Sequence, residues 1–198
     1  MEDDSYRTIS APAEGCYTEK RSRFISYAVP VRTAGEVKDR LDSFRRQYCD
    51  ARHICWAYML GAERTVFRAN DDGEPSSTAG KPILGQINSC KLTDILIVVV
   101  RYFGGIELGT GGLTAAYRTA AAAAIAAARI EVRTVDERIV IGFEYPHLNG
   151  VMRTVKDMQP KILSQTFGMD CEMTFCIRRN KASELIRRLL AIESVFLK

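Results

Sequence analysis

Residues 95–129 carry the clearest structural pattern in the chain. An apolar run (ILIVVV, 95–100) leads into a glycine-rich stretch (RYFGGIELGTGG, 101–112) and then into an alanine-rich one (113–129). The β-branched run predicts a strand that is buried on both faces of a sheet. Five glycines in the nine positions 104–112 exclude the interior of a helix or strand, so we expect a shaped loop there. The alanine-rich segment predicts a helix, and its small side chains imply a close approach to another helix or to the sheet.

The residues before this stretch also alternate between strand and helix patterns. Thr33 is suited to cap a helix over residues 34–48, and Glu36 completes a capping box with it. Residues 70–75 (NDDGEP) have the composition of a loop. The other elements predicted here are strand material over 16–31 with a basic turn at 20–23, strands over 54–60 and 65–68, and a helix over 77–89.

A second alternation of strands and helices begins near residue 136. Its order, β-α-β-β-α-β, matches the ferredoxin-like split motif. We therefore predict two α+β domains, residues 1–132 and residues 136–198. The elements predicted in the second domain are strands over 138–145, 161–167 and 171–178, helices over 146–158 and 182–191, and a short apolar end at 194–197.

The composition is that of a globular protein, with 46% hydrophobic and 26% charged residues and a net charge of +4 over 198 residues. These values exclude disordered, collagen-like and fibrous chains. The longest apolar run is far shorter than the roughly 20 residues that cross a bilayer, and the acidic start (MEDD) is unlike a signal peptide. Six cysteines without a Cys-x-x-Cys pair predict free, buried thiols. We expect a soluble, cytoplasmic protein that is not attached to a membrane.

The positive charge is distributed unevenly along the chain. Residues 16–68 carry eleven Lys and Arg against six Asp and Glu, whereas residues 69–115 carry three against five. A basic face of this kind is compatible with contact to RNA or the ribosome, and equally with a solvated surface. The small net charge argues against strong, salt-driven binding of nucleic acid.

The glycine-rich stretch is the first candidate site. A buried strand, a glycine loop and a helix that starts near Gly111 aim backbone N–H groups and the positive end of the helix dipole at one place, where anions bind. The stretch lacks the ending of a Walker loop and the spacing of the dinucleotide fingerprint. The alternative is that the glycines only permit a tight connection between strand and helix. The residues of this candidate are Arg101, Tyr102, Gly104, Gly105, Gly109, Thr110, Gly111 and Gly112.

The carboxylates of the acidic loop, residues 70–82, form the second candidate. Three carboxylates within four residues could hold a hard cation, but their spacing is not that of an EF-hand. Acidic and hydroxyl side chains just before a helix more commonly cap it. We therefore predict no metal site and no cofactor. The residues of this candidate are Asp71, Asp72, Glu74, Ser76, Thr78 and Lys81.

His53 and Cys55 are the third candidate, because residues two apart on a strand point to the same side. The pair raises the alternatives of a zinc site and a Cys/His dyad. The chain has only two histidines, and nothing in the sequence indicates an activated thiolate, so satisfied core or pocket residues are favoured. His53 is retained as a binding residue. Neither Gly-x-Ser-x-Gly nor His-Glu-x-x-His is present, which leaves a hydrolase without support.

The two loops, in this order, resemble the signature of the IMPACT/YigZ family. The resemblance covers residues 15–130 closely, and the domain after residue 136 matches the C-terminal domain of the bacterial members in size and order. The motifs that carry it are DDGEPS (71–76) with TAGKPIL (78–84), RYFGG (101–105) with LGTGGL (108–113), and Ala116-Tyr117, together with Lys20, SRFI (22–25), His53, Cys55 and Ala57-Tyr58.

The resemblance implies an α+β protein with two different domains. The first would be an α/β sandwich similar to domain 2 of a small-subunit ribosomal protein, to domain IV of elongation factor G and to the GHMP kinases, and the second would be ferredoxin-like. Eukaryotic relatives regulate translation through the kinase that senses amino-acid starvation, by competing for its activator. Bacterial relatives are suspected of binding RNA or the ribosome.

This sequence departs from the family pattern at four positions. The family usually has Gly where this chain has Ser77, and Thr where it has Val100. It often has Lys at Glu107 and Arg at Ala115. The loss of two basic residues beside the glycine-rich stretch weakens the case for a phosphate contact in this chain, whereas Lys81 and Arg101 keep the family pattern.

Our leading hypothesis is a non-enzymatic binding protein that contacts RNA, the ribosome or a translation factor; no particular oligomeric state is implied. The alternative is an enzyme that binds a phosphate or nucleotide at the glycine-rich stretch and uses Asp71, Asp72 or Glu74 as a general base or Mg²⁺ ligand. A third hypothesis is a protein–protein adaptor in which both loops are structural.

Overall fold

The computed structural model describes residues 4–198, which divide into two compact units. One unit is Tyr6–Arg133, and the other is Thr134–Lys198 together with Asp4 and Ser5. Each contains both helices and sheet, so the molecule has mixed α/β structure. No helix within residues 4–198 is long and apolar enough to span a membrane.

The elements follow one another in the order predicted, with two additions. Strands β1 and β7 pair in a two-stranded sheet that the sequence patterns do not predict. The elements up to residue 134 are β1 (Ser5–Ile9), β2 (Ala13–Glu19), β3 (Ser22–Pro30), α1 (Ala34–Gln47), β4 (His53–Leu60), β5 (Val66–Asn70), α2 (Gly80–Ser89), β6 (Ile95–Tyr102), α3 (Gly109–Ala127) and β7 (Ile130–Thr134).

The sheet of the first unit is antiparallel, with strand order β2-β3-β6-β4-β5. Its central strand, β6, is fully buried from Ile95 to Val100 because helices cover both faces. On one face Ile95, Ile97 and Val99 share a cluster with residues of α2 and α3. On the other face Leu96, Val98 and Val100 pack with residues of α1. The prediction of a strand buried on both faces is confirmed.

Helix α3 lies very close to strand β2, as its alanine content predicts. A Cβ atom placed on Gly15 of β2 would be 2.5 Å from the backbone nitrogen of Ala124. Only two small residues at the contact allow backbones to approach this closely. The helix therefore packs directly on the edge strand of the sheet.

The capping box before α1 has the predicted residues, with one difference. The Oγ1 atom of Thr33 accepts a hydrogen bond of 3.1 Å from the N–H of Glu36. The carboxylate of Glu36 accepts from the N–H of Arg32, at 2.9 Å, where the standard motif uses the N–H of the cap residue itself. Both bonds satisfy backbone donors at the start of the helix, which begins at Ala34.

The expected glycine loop is shorter than predicted at both ends. Strand β6 continues through Arg101 and Tyr102, and α3 already begins at Gly109. The prediction that residues 101–112 form a loop is therefore wrong for these two ends. Glycine propensity alone suggested a loop, but packing of the apolar face of α3 on the sheet extends the helix toward its N-terminus.

The second unit has a four-stranded antiparallel sheet in the order β11-β8-β10-β9. Helices α4 and α5 share one buried cluster with the central strands. The β-α-β-β-α-β order predicted for this part of the chain is confirmed. Its elements are β8 (Asp136–Glu144), a 3₁₀ turn (Tyr145–His147), α4 (Leu148–Met158), β9 (Lys161–Thr166), β10 (Asp170–Arg178), α5 (Arg179–Leu190) and β11 (Phe196–Leu197).

The six cysteines are all free thiols, but they are not all buried. Cys55 and Cys171 are buried, whereas Cys16 and Cys49 are exposed. The expectation of buried thiols is wrong for these last two, because Cys16 lies on an edge strand and Cys49 in the loop after α1.

The close contact between α3 and β2 predicts opposite effects for the same substitution at two glycines. We expect Gly15→Ala to lower the free energy of unfolding by about 1–3 kcal/mol, because the backbone of α3 must move to admit the methyl group. Gly85→Ala, in α2, should raise it by about 0.5–1 kcal/mol, because open space surrounds that position and alanine favours the helix. Urea unfolding followed by circular dichroism measures both, and equal effects would contradict the packing described.

Candidate functional site

Strand register brings the third candidate beside the glycine-rich stretch. His53 at the start of β4 is paired with Arg101 near the end of β6, and Phe24 of β3 is paired with Arg101 from the other side. The acidic loop lies over the start of β4, where the Asp72 carboxylate accepts a 2.7 Å hydrogen bond from the N–H of Ile54. All three sequence candidates therefore contribute residues to one end of the five-stranded sheet.

The centre of this region is the carboxylate of Glu74, whose side chain is only 3% exposed. Its Oε1 atom accepts hydrogen bonds from Nη1 of Arg101 at 2.6 Å and from the hydroxyl of Tyr117 at 2.7 Å. The Nε2 atom of His53 lies 3.9 Å from the same oxygen. One carboxylate thus connects the acidic loop to β4, β6 and α3.

The guanidinium of Arg101 lies over the rings of two aromatic residues. Its Cζ atom is 5.5 Å from the ring centre of Phe24 and 5.6 Å from that of Phe103, and the side chain is 6% exposed. Its buried Nε atom has no hydrogen-bond partner among residues 4–198. The ion pair with Glu74 therefore leaves part of the donor capacity of this arginine unused.

His53 is oriented by the acidic loop. Its Nδ1 atom lies 2.8 Å from the backbone oxygen of Asp72. A carbonyl oxygen only accepts, so Nδ1 carries a hydrogen, and Nε2 lies on the side of Glu74. Hydrogen bonding thus fixes the orientation of the ring.

The thiol of Cys55 and the hydroxyl of Tyr117 belong to the same buried region, and both groups keep their protons there. The Sγ–H group of Cys55 lies 3.0 Å from the backbone oxygen of Asp71 and 3.3 Å from the hydroxyl of Tyr117. Burial raises the pKa of the Cys55 thiol and that of the Tyr117 hydroxyl. A thiol that stays neutral is not a nucleophile, so the interpretation of Cys55 as a satisfied core residue is supported.

The carboxylate of Asp71 caps helix α2 from a distance. Its Oδ1 atom accepts from the N–H groups of Ala79, at 3.0 Å, and Gly80, at 2.8 Å, and its Oδ2 atom accepts from Ser77. The capping role predicted for the acidic loop is confirmed for this residue. Backbone N–H groups thus occupy both Asp71 and Asp72, and no group of three or more His, Cys, Asp or Glu within residues 4–198 is arranged to hold a metal ion.

Other residues of the two loops have structural partners. The hydroxyl of Thr78 donates to the backbone oxygen of Pro75 at 2.6 Å, and that of Tyr102 donates to Asp50 at 2.9 Å. Gly104 lies against the backbone of Arg21, where a Cβ atom would not fit. Ser76, Lys81 and Gly105 are exposed, and a role for them in binding stays a prediction.

A cavity of about 590 Å³ lies between the buried centre and the start of α3, and we call it the α3 cavity. Five residues of the sequence candidates line it: His53, Glu74, Arg101, Gly109 and Thr110. Ten candidates do not line it: Asp71, Asp72, Ser76, Thr78, Lys81, Tyr102, Gly104, Gly105, Gly111 and Gly112. Its remaining lining residues, which sequence reasoning did not select, are Arg52, Pro75, Phe103, Glu107, Leu108 and Leu113.

Two of these additional residues had signals in the sequence. Arg52 directly precedes His53, and Phe103 interrupts a polar, glycine-rich stretch as an isolated aromatic residue. Leu108 and Leu113 had no such signal, because leucines near the start of a helix are ordinary core residues. Only the packing of α3 shows that they face a cavity.

The N-terminus of α3 has no cap. Leu108 occupies the cap position without a side-chain hydrogen bond, and no acidic residue is present in the first turn. The first N–H groups of a helix have no partner within it and carry a partial positive charge. This end of the α3 cavity therefore offers backbone donors to a ligand or to water.

The left-handed conformation of Ser77 gives a physical reason for the glycine that the family resemblance implies at this position. Its φ angle is +64°, in the region that glycine adopts at little cost. We expect Ser77→Gly to raise the free energy of unfolding by about 0.5–1 kcal/mol. Ser76→Gly is the matched control and should lower it, because the backbone there has no positive φ. Thermal and urea unfolding compare the two variants, and a loss of stability in Ser77→Gly would contradict the assigned strain.

Burial of the Cys55 thiol predicts a loss of stability in alkali. The thiol stays neutral in the folded chain, whereas in the unfolded chain it ionises near its ordinary pKa of 9.0. Its contribution is therefore complete below pH 9 and falls above it, by about 1.4 kcal/mol per pH unit. We expect the unfolding free energy of Cys55→Ser to decline less steeply than that of the unsubstituted chain between about pH 9 and 10.5.

Urea titrations at several pH values, in the presence of a reductant, measure this difference. Cys16→Ser is the matched control, because solvent surrounds that thiol in the folded chain as well as in the unfolded one. Parallel curves for Cys55→Ser and the unsubstituted chain would show that the thiol is not buried as described.

Comparisons with known proteins agree with the resemblance seen in the two loops. The model of the Impact N-terminal domain matches residues 20–125, which include the acidic loop, the glycine-rich stretch and most of α3. IMPACT family member YvyE of Bacillus subtilis is 42% identical over 113 residues, which are 57% of this chain and 52% of that protein. The match thus spans about half the length of that relative.

Other relatives match nearly the whole chain. A solved structure described as that of a hypothetical protein has a TM-score of 0.74 and 31% identity, and the match covers 98% of this chain and 96% of that one. IMPACT family member YigZ of Escherichia coli is 31% identical over 188 residues, 94% of this chain and 92% of that protein. Because the family model covers more than half of the chain and this relative shares nearly all of its length, the chain belongs to the IMPACT family.

Proposed function

We propose that this chain is a cytoplasmic binding protein that acts in translation, by contacting RNA, the ribosome or a translation factor, and that it is not an enzyme. The family resemblance supports the connection to translation. The observation that carries the proposal is a concentration of exposed basic residues at the end of the five-stranded sheet where β3 and β4 begin and β6 ends.

The sheet register explains how these residues come together. Arg23 is paired with Tyr102, and the hairpin turn between β2 and β3 precedes it. Helix α1 ends at Gln47, shortly before β4 begins, so its last turn lies at the same end. We call this surface the basic end; its exposed residues are Lys20, Arg21, Arg23, Arg45, Arg46 and Arg52.

The basic end also presents an aromatic side chain. Phe103 follows β6 directly and is 51% exposed. Single-stranded RNA is bound by proteins that combine cations for the phosphates with aromatic rings on which bases stack. Asp50 and Glu107 are exposed near the same end, which fits a moderate affinity and not a strong one.

The chemistry of the buried centre supports binding over catalysis. Backbone N–H groups occupy Asp71 and Asp72, and the Cys55 thiol stays protonated. Glu74 is paired with Arg101. These groups hold the two loops in place, which is the task of a scaffold that presents a binding surface.

The domain-fold assignments belong to the same proposal. We assign the first unit to the fold of ribosomal-protein domain 2 and elongation factor G domain IV, and the second to the ferredoxin-like fold. The antiparallel order β11-β8-β10-β9 together with a β-α-β-β-α-β sequence supports the second assignment.

A second candidate function is an enzyme or small-molecule binder for phosphorylated compounds. The α3 cavity favours it, because Glu74 and His53 line a volume typical of small-molecule sites. Thermal-shift measurements with phosphorylated metabolites and divalent metals, followed by turnover assays on any compound that stabilises the chain, distinguish it from a binding protein.

The proposal predicts that charge reversal at the basic end weakens RNA binding. We expect the double variant Arg21→Glu and Arg52→Glu to bind short single-stranded RNA at least tenfold more weakly and to lose co-sedimentation with ribosomes at low salt. The salt dependence of binding should also become shallower, by about one unit of slope for each lost phosphate contact.

The matched control is Lys91→Glu with Arg129→Glu, which changes the net charge equally but lies away from the basic end, before β6 begins and after α3 ends. It should retain most of the affinity. Filter binding and sedimentation at about 50 and 200 mM salt measure both variants. Absence of RNA and ribosome binding by the unsubstituted chain, or equal losses in the two double variants, would refute the proposal.

A further inference from the structure

The start of α3 is the first of three features that point to a specific ligand for the α3 cavity. Gly109 and Thr110 line the cavity, and their N–H groups belong to a first helical turn without a side-chain cap or an acidic residue. Unpaired N–H groups at the end of a helix of 19 residues favour a negatively charged group.

The second feature is a buried cation that is only partly satisfied. Arg101 lines the same cavity, and its Nε atom is buried without a hydrogen-bond partner among the described residues. Leaving a buried donor unpaired is costly. Arg52 contributes an exposed second guanidinium to the lining. The start of α3 and the exposed Arg52 therefore present donors to an anion, and Arg101 adds its guanidinium to the lining of the same cavity.

The third feature is the apolar part of the wall. Pro75, Phe103, Leu108 and Leu113 line the α3 cavity beside the polar groups. An inorganic anion would leave this surface in contact with water, whereas a ligand with a flat, apolar body would cover it. The cavity volume of about 590 Å³ admits a body of that kind.

The negative groups of the cavity set the orientation of such a ligand. Glu74 is at the buried centre and Glu107 lines the cavity near the start of α3. Like charges repel, so an anionic head lies against the α3 N-terminus and Arg52, away from Glu74. The Glu74 carboxylate then faces hydrogen-bond donors on the ligand, such as hydroxyl or amino groups.

We propose that the α3 cavity binds one nucleotide, with its phosphate at the N-terminus of α3 beside Arg52 and its base against Phe103. The inference rests on the proposed function, in that the nucleotide belongs to an RNA strand. It goes beyond that function by naming the pocket, the orientation and the chemical group recognised. A free nucleotide presents the same chemistry, so the experiment uses both sources.

The test compares ligands that differ in one group. Uridine 5′-monophosphate, uridine and inorganic phosphate are titrated against the full chain by calorimetry and by NMR of the α3 amides. We expect the nucleotide to bind at least tenfold more tightly than uridine and than phosphate alone. A short RNA should compete with the nucleotide for the same amides.

Position 111 provides a variant in which stability and binding move in opposite directions. A Cβ atom on Gly111 meets open space, and the residue lies in the first turn of α3. Gly111→Asp adds a carboxylate to the first turn of α3, next to Gly109 and Thr110, which line the cavity. The added charge should stabilise the helix and, by repulsion of the phosphate, weaken nucleotide binding at least tenfold. Gly111→Ala, the matched control, should leave binding unchanged.

Removal of the negative charge of Glu107, which lines the cavity, should strengthen nucleotide binding instead of weakening it. Glu107→Gln should tighten nucleotide binding severalfold, because it takes away the negative charge that lines the cavity near the phosphate position. Phe103→Ala should weaken binding of the nucleotide without changing that of inorganic phosphate, since only the base contacts the ring.

The outcomes separate this inference from the proposed function. If RNA binds but uridine 5′-monophosphate does not, or if Gly111→Asp and Gly111→Ala bind the nucleotide equally, the nucleotide pocket is refuted and the RNA-binding role stands. If the nucleotide binds as described while RNA and ribosomes do not, the pocket stands and the role in translation is refuted.

Discussion

The structure of this site depends on one buried ion pair, between Glu74 and Arg101. Removing one partner of a buried ion pair costs about 3–5 kcal/mol, because the other charge is left without compensation. Each partner of the pair has further support: Tyr117 donates a hydrogen bond to Glu74, and the Arg101 guanidinium lies over the rings of Phe24 and Phe103. The acidic loop, the central strand and the alanine-rich helix are thereby tied at one point.

Neighbouring residues of the acidic loop have different roles, some structural and one at the cavity. Asp71 and Asp72 satisfy backbone N–H groups of α2 and β4, so they position the loop. Glu74, two residues further along, reaches the buried centre and lines the α3 cavity. Hydrogen bonds therefore hold the acidic loop in place, whereas the start of α3 has no side-chain cap.

Much of the fold followed from local patterns. The apolar run at residues 95–100 predicts a strand buried on both faces, and the periodicity after residue 136 predicts the β-α-β-β-α-β order. The start of α3 was misplaced because glycine propensity is local, while helix stability comes from packing of the apolar face. Strands β1 and β7 were missed because their pairing joins residues far apart in the chain. Five of the fifteen predicted site residues line the α3 cavity, since composition selects residue types but not the direction in which they point.

The family, the order of the elements and the residue types that carry charge or conformational freedom all follow from the sequence alone. These properties are local, or are preserved in motifs such as DDGEPS and LGTGGL. The folded chain is needed to see that His53, Glu74 and Arg101 meet, that Asp71 caps α2, and that Arg52 and Phe103 complete the cavity. The physical reason is that strand register and helix packing place residues from distant segments side by side, and no local preference encodes that placement.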